Sequence, residues 1–192
     1  MRSLIYLCCI IFFGCDNYLM PKQSAYLRLD YSLPEYKVID SNQFPFIFET
    51  NNILSNVSEI AFDNESIDFI IKYDELNGQI NLQYQKLDSK EKLDTYILDL
   101  KKTIETHSIM ANSVRIKDYV SEKNKIYGRI FDLSGNVASP YQFYLTDNRS
   151  NIIAGFVYFN IKPNYDSILP AINYIENDII NLIESFSWKK NK

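Results

Sequence analysis

Apolar residues recur along this chain with two periods, and the change of period marks the elements. Between positions 126 and 160, three runs rich in Ile, Val, Tyr and Phe (126–131, 140–145 and 152–159) are separated by the polar stretches Leu133-Ser134-Gly135-Asn136 and Asp147-Asn148-Arg149-Ser150-Asn151. Runs of this length, bounded by Gly, Asn, Asp and Ser, predict strands joined by hairpins. The result is a three-stranded antiparallel meander at the centre of a sheet. Gly135 supplies the positive φ that a tight turn needs. The runs 67–73 and 79–84 flank Asn77-Gly78, a strong hairpin signal. Further strands are predicted at 24–31 and 113–120, with short strands at 35–39 and 46–49. Positions 51–65 are polar with scattered Ile and Leu, and read as a long loop with one helical turn.

A helical period takes over twice. Leu93, Ile97, Leu100 and Ile104 form one stripe of a helix over 89–110, with Tyr96 beside them. Ser89 caps its start, and Lys101 and Lys102 suit the negative end of its dipole. Leu169, Ile172, Ile175, Ile179, Leu182, Ile183 and Phe186 line one face of a second helix over 167–188, capped by Asp166 or Ser167, with Pro170 in its first turns. The strand at 152–159 is apolar on both parities, and such a strand is usually covered on both faces. The expected fold class is therefore α+β: an antiparallel sheet of about six strands covered by helices on both faces. This order of elements resembles the α-β-α sandwich of photosystem-II-P-like (PsbP) and Mog1-like proteins, a fold analogy that implies no function.

Ahead of this domain, Arg2 precedes an apolar run at 4–13, too short to span a bilayer as a helix and suited to the core of a signal peptide. The run leads into Phe12-Phe13-Gly14-Cys15. A small residue directly before a cysteine resembles the bacterial lipoprotein cleavage box, in which the freed thiol takes a diacylglycerol. The expected organisation is a signal peptide at 1–14, a tether at 15–23 whose Cys15 carries acyl chains such as palmitate, and one α+β domain at 24–192. Each buried methylene adds roughly 0.8 kcal/mol, so several chains together hold firmly to a membrane. Loss of Cys8 and Cys9 leaves one cysteine and no intrachain disulfide.

The formal charge is −4, and no basic run is long enough to track a phosphate backbone, so nucleic acid is not an expected partner. His107 is the single histidine, three residues past Ile104. Without a second histidine or a cysteine pair, metal and nucleophile chemistry have little to stand on, and a half-buried or helix-capping role is expected. Ser139 lacks the G-x-S-x-G context of a hydrolase serine. Asp63, Glu65, Asp68, Asp74 and Glu75 lack the spacing of a calcium loop and read as a solvated face. No catalytic residue, metal ligand or cofactor is expected.

Gly128, Asp132, Gly135-Asn136, Ala138-Ser139-Pro140, Gln142-Phe143-Tyr144-Leu145-Thr146-Asp147, Gly155 and Tyr158-Phe159-Asn160 resemble the signature block of the gliding-motility lipoprotein D (GldD) family of the Bacteroidota. The resemblance continues through Pro163-Asn164, Asp166-Ser167, Pro170, Asp178-Ile179-Ile180, Glu184 and Trp188. It extends back to Pro21-Lys22 and Tyr26-Leu27-Arg28-Leu29. It implies a lipid-anchored accessory component of the gliding motility and type IX secretion apparatus. Such a protein would sit in the cell envelope, at the periplasmic face of the inner or outer membrane, and act through contacts with other envelope proteins rather than by catalysis.

The polar residues inside that block are the candidate site. Asp132, Asn136, Ser139, Gln142, Asp147 and Asn160 lie at strand ends or among apolar neighbours, and Thr146 joins them as a rim residue. Alternation puts Gln142 on one face with Tyr144 and Thr146, opposite Tyr141, Phe143 and Leu145. Two readings stay open. In one, these side chains satisfy turn amides and other backbone groups. In the other they form, with Tyr144 and with Arg28 as an ion-pair partner, a patch that holds a protein or small ligand at the margin of a covering helix. A different class of function also remains: an envelope small-ligand carrier or enzyme using a pocket between sheet and helix.

Overall fold

Neighbouring runs pair antiparallel almost throughout. The structure, a computed structural model, describes residues 31–160 and 165–189. Its strands are β1 (Tyr36–Ile39), β2 (Phe46–Asn51), β3 (Asn56–Phe62), β4 (Ser66–Tyr73), β5 (Gly78–Lys86), β6 (Ser113–Ser121), β7 (Ile126–Ser134), β8 (Tyr141–Thr146), β9 (Asn151–Phe159) and β10 (Ser187–Trp188). Its helices are α1 (Lys90–Ser108) and α2 (Tyr165–Ser185). Seven strands form one sheet in the order β3-β4-β5-β9-β8-β7-β6, and β1-β2-β10 form a second. The expected meander is β7-β8-β9, and β9 occupies the middle of the large sheet because it also pairs with β5, from Gly78 opposite Phe159 to Lys86 opposite Asn151.

Connectivity explains the place of α1. Strand β6 lies four positions from β5, about 19 Å at normal strand spacing. A helix of 19 residues is about 28 Å long and can carry the chain across that distance over one face. Ser89 caps it by accepting the amide of Lys92 at 3.3 Å. Its stripe of Leu93, Leu100 and Ile104 packs with Phe131, Leu133, Tyr144, Ile152, Ala154 and Phe156. The opposite face carries the larger core. There Phe69, Ile71, Ile80, Leu82, Phe143, Leu145, Ile153 and Val157 meet Ile175, Ile179, Leu182 and Ile183 of α2 and Phe44, Phe46 and Phe48 beside and within β2. Full burial of an Ile, Leu or Phe is worth about 1.5–3 kcal/mol, so this interface dominates the stability.

Several expectations need correction. An α-β-α sandwich with both faces covered by helices is not what forms: α1 lies over only part of one face, and α2 shares the other with the small sheet. The described chain is mostly β, 44% strand against 28% helix, in large antiparallel sheets with two helices. The main sheet has seven strands rather than about six, and the small sheet shares one of its faces with α2. On the other face the β4–β5 half is not apolar. Asp68, Ile70 and Lys72 of β4 and Gln79, Asn81, Gln83 and Gln85 of β5 alternate with the core residues there, and none of them is buried. Positions 51–65, read as a loop, contain edge strand β3, whose register slips between Ser58 and Ala61 and so blurs the period-two signal. The second helix stops at Ser185 rather than 188, because Ser187 and Trp188 pair with Ile47 and Phe46. Its first described amide, Tyr165, donates to Asn136 Oδ1 at 3.0 Å, so a turn distant in sequence satisfies it. Cys15, Arg28, the tether and all but Tyr31 of the strand expected at 24–31 lie outside the described residues.

Candidate functional site

Strand β8 presents its residues as alternation requires. Tyr141, Phe143 and Leu145 enter the larger core, while Gln142 and Tyr144 turn toward α1. Both faces are closed: Gln142 is 0% exposed, Tyr144 8% and Thr146 3%. Gln142 Nε2 donates to the Ser139 carbonyl at 2.9 Å, which makes Oε1 its acceptor end. Oε1 in turn accepts a hydrogen bond from His107 Nδ1 at 3.2 Å. His107 sits in the last turn of α1, half-buried, edge-on to Phe156 at 6.3 Å. Thr146 Oγ1 donates to the Asn151 carbonyl at 2.7 Å and accepts the Asn148 amide at 3.0 Å. Asp147 Oδ1 accepts the amides of Arg149, Ser150 and Asn151, each at 2.9 Å, and Oδ2 accepts Asn151 Nδ2 at 2.6 Å. Burial pushes the Asp147 carboxyl up, but these donors outweigh it and hold its pKa below the usual value.

The remaining predicted residues lie elsewhere. Asp132, on β7, pairs with Arg115 across the β6 edge at an open depression shared with Tyr141 and Glu176. Burial first, and the Asp132 charge second, raise the Glu176 pKa. Asn160 follows β9, and its amide donates to the Asn77 carbonyl at 2.8 Å. The structure therefore brings Gln142, Tyr144 and His107 together under α1 and gathers Thr146 and Asp147 in one turn. It leaves Asp132 and Asn160 apart from both groups.

One cluster was not anticipated. Asp178 of α2 is 4% exposed. Its Oδ1 accepts the Tyr36 hydroxyl at 2.9 Å, its Oδ2 accepts Asn51 Nδ2 at 3.0 Å, and Tyr73 also hydrogen-bonds to it. Asn51 Nδ2 further donates to the Tyr174 hydroxyl at 2.8 Å, and that hydroxyl donates to the Ser32 carbonyl at 2.9 Å. Burial raises the Asp178 pKa, and the three donors only partly offset it. The available signal was a carboxylate on the apolar stripe of a helix, three residues after Ile175 and directly before Ile179. Its role here is to join β1, β2, β4 and α2.

Two surfaces stand out from the rest. Among the described residues strand β6 is an edge with one unpaired side, and α1 does not cover it. Val114, Ile116 and Val120 point to the α1 side of the sheet and are 42%, 59% and 59% exposed. Ile109 and Met110, just past α1, are more exposed still. At the sheet end where the β6–β7 and β8–β9 turns lie, a cavity of about 540 Å³ opens between those turns and β10. Among the described residues, no group of His, Cys, Asp and Glu is arranged to hold a metal ion, and no helix is long and apolar enough to cross a membrane.

A family model described as gliding motility lipoprotein GldD matches residues 16–188. No curated protein matches the chain.

Proposed function

Since the chain belongs to the gliding motility lipoprotein GldD family, we propose that it is a non-catalytic accessory component of the gliding motility and type IX secretion apparatus that docks another envelope protein. Membership of a lipoprotein family gives a membrane-anchored location in the cell envelope. On this reading Cys15, at the end of the apolar run, carries the acyl chains. Cys15→Ser should then lose fatty-acid label and leave the membrane fraction, or stay unprocessed. Label retained by the variant would refute the anchor.

The observation that carries the docking role is the β6 edge. Among the described residues its outer backbone groups have no strand to pair with, and its apolar side chains stay in water. An exposed apolar edge is a template for strand addition, in which main-chain hydrogen bonds supply affinity and alternate side chains supply specificity. Arg115 and Lys117, on the opposite parity, limit indiscriminate pairing. The occupant on this reading is an extended segment of a partner envelope protein. The test is crosslinking and pull-down of lipidated protein from its own membranes, comparing wild type with an Ile116→Lys, Val120→Lys double variant. Capture should be lost while stability changes by no more than about 0.5 kcal/mol per site, as at other exposed positions. Undiminished capture would remove β6 from the interface.

A further inference from the structure

The cavity between the turns and β10 has a sign opposite to that of the whole protein. The chain carries a net charge of −4, yet Lys86, Lys123, Lys125, Arg149 and Lys189 all line this one cavity. Lys189 is engaged by Asp40 at 2.6 Å and by the Ser41 carbonyl. The other four have no carboxylate partner among the described residues. The single acid in the lining, Asp147, already accepts four hydrogen bonds within its own turn. Like charges held close repel one another, so an arrangement of this kind favours a bound anion.

The floor of the cavity supports the same ligand. The rings of Tyr84 and Trp188 lie 6.3 Å apart there. The Tyr84 hydroxyl is satisfied by Asn151 Oδ1 at 2.7 Å. The Trp188 Nε1 atom is buried and has no hydrogen-bond partner. An indole N–H can only donate, and a buried donor left unpaired costs about 1–3 kcal/mol. Trp188 also lines the cavity, so an unpaired donor lies within its wall. Lys125 also adopts φ 53, a left-handed conformation that glycine takes more cheaply, yet the turn places a cation there.

From these observations we infer that the cavity is a binding site for a phosphate group, presented either by a phospholipid headgroup or by a soluble phosphate ester. A phosphate offers several acceptor oxygens to lysine and arginine donors together. A volume near 540 Å³ suits a headgroup-sized anion. The site is built at strand ends and turns, with no helix residue in its lining, and does not depend on the β6 docking reading.

Trp188 is the one tryptophan of the chain and reports on the cavity directly. Full-length protein in uncharged detergent would be titrated with inorganic phosphate, glycerol 3-phosphate, short-chain phosphatidylglycerol and poly-glutamate, and Trp188 emission recorded. The variant is Lys123→Glu, Lys125→Glu, Arg149→Glu, three exposed turn positions. Saturable change with a phosphate compound, weakened at least about tenfold in the variant at unchanged thermal midpoint, is the expected result. Saturation by phosphatidylglycerol alone identifies a lipid headgroup as the source, and equal response to glycerol 3-phosphate identifies a soluble ester. Absence of saturation up to about 10 mM, an equal response of the variant, or a response to poly-glutamate alone would overturn the inference.

Discussion

The hydroxyl of Tyr36 donates to Asp178 Oδ1 at 2.9 Å, across 142 positions of sequence. This bond ties the small sheet to α2, and with Asn51 and Tyr73 it surrounds one buried carboxylate by three hydrogen-bonding partners. Removing the acceptor strands them. Asp178→Ala should destabilise the fold by about 3 kcal/mol or more, given about 1–3 kcal/mol for each buried polar group left unpaired. Urea denaturation measures it, and a loss below about 1 kcal/mol would show that water replaces the carboxylate.

The same group sets a pH dependence. Burial raises the Asp178 pKa in the folded state above its unfolded value of about 3.9. The folded protein therefore binds that proton more tightly, and this contribution to stability is fully present below about pH 4. It is lost as pH rises through the folded value. Asp178→Asn has no such proton, so the stability of wild type relative to this variant should fall as pH rises above about 4. Paired urea midpoints across that range give the answer, and a difference that grows with pH would mean the anion is the stabilised form.

Tyr144 and Gln142 forecast a stability effect of a different kind. Tyr144 packs under α1 with Phe131, its ring centroid 6.5 Å away. Tyr144→Ala should cost about 3–5 kcal/mol, as for other buried aromatic truncations. Gln142→Ala leaves the Ser139 carbonyl and His107 Nδ1 without their partner, a loss of about 1–3 kcal/mol. If both variants melt like wild type yet fail in pull-down, these residues belong to an interface after all.

Gly155 faces Phe143 across the β8–β9 pair, and a Cβ at that position would overlap the Phe143 ring. Gly155→Ala should destabilise by about 1–3 kcal/mol through overpacking. Phe143→Leu in the same molecule should recover part of that loss, because the two changes share one space. Simple additivity of the two losses would place the strain elsewhere.

Most local elements, β3 and β10 excepted, were legible in the sequence. Asn77-Gly78, Gly135-Asn136 and the 147–151 turn separate runs whose pairing partners are their chain neighbours, and a hairpin needs no distant information. Both helices were legible from apolar stripes, and the parity of Gln142, Tyr144 and Thr146 follows from a period of two. Tertiary structure alone decided which faces were closed. Tyr144 and Ile116 both stand on the α1 side of the sheet, but α1 lies over one and leaves the other in water. Pairing of β5 with β9 and of Phe46 with Trp188 joins segments about 70 and 140 residues apart, and no local period encodes such contacts. The cationic cavity has the same origin. Lys86, Lys123, Arg149 and Lys189 are scattered along an acidic chain, and only the stacking of strand ends brings their charges together.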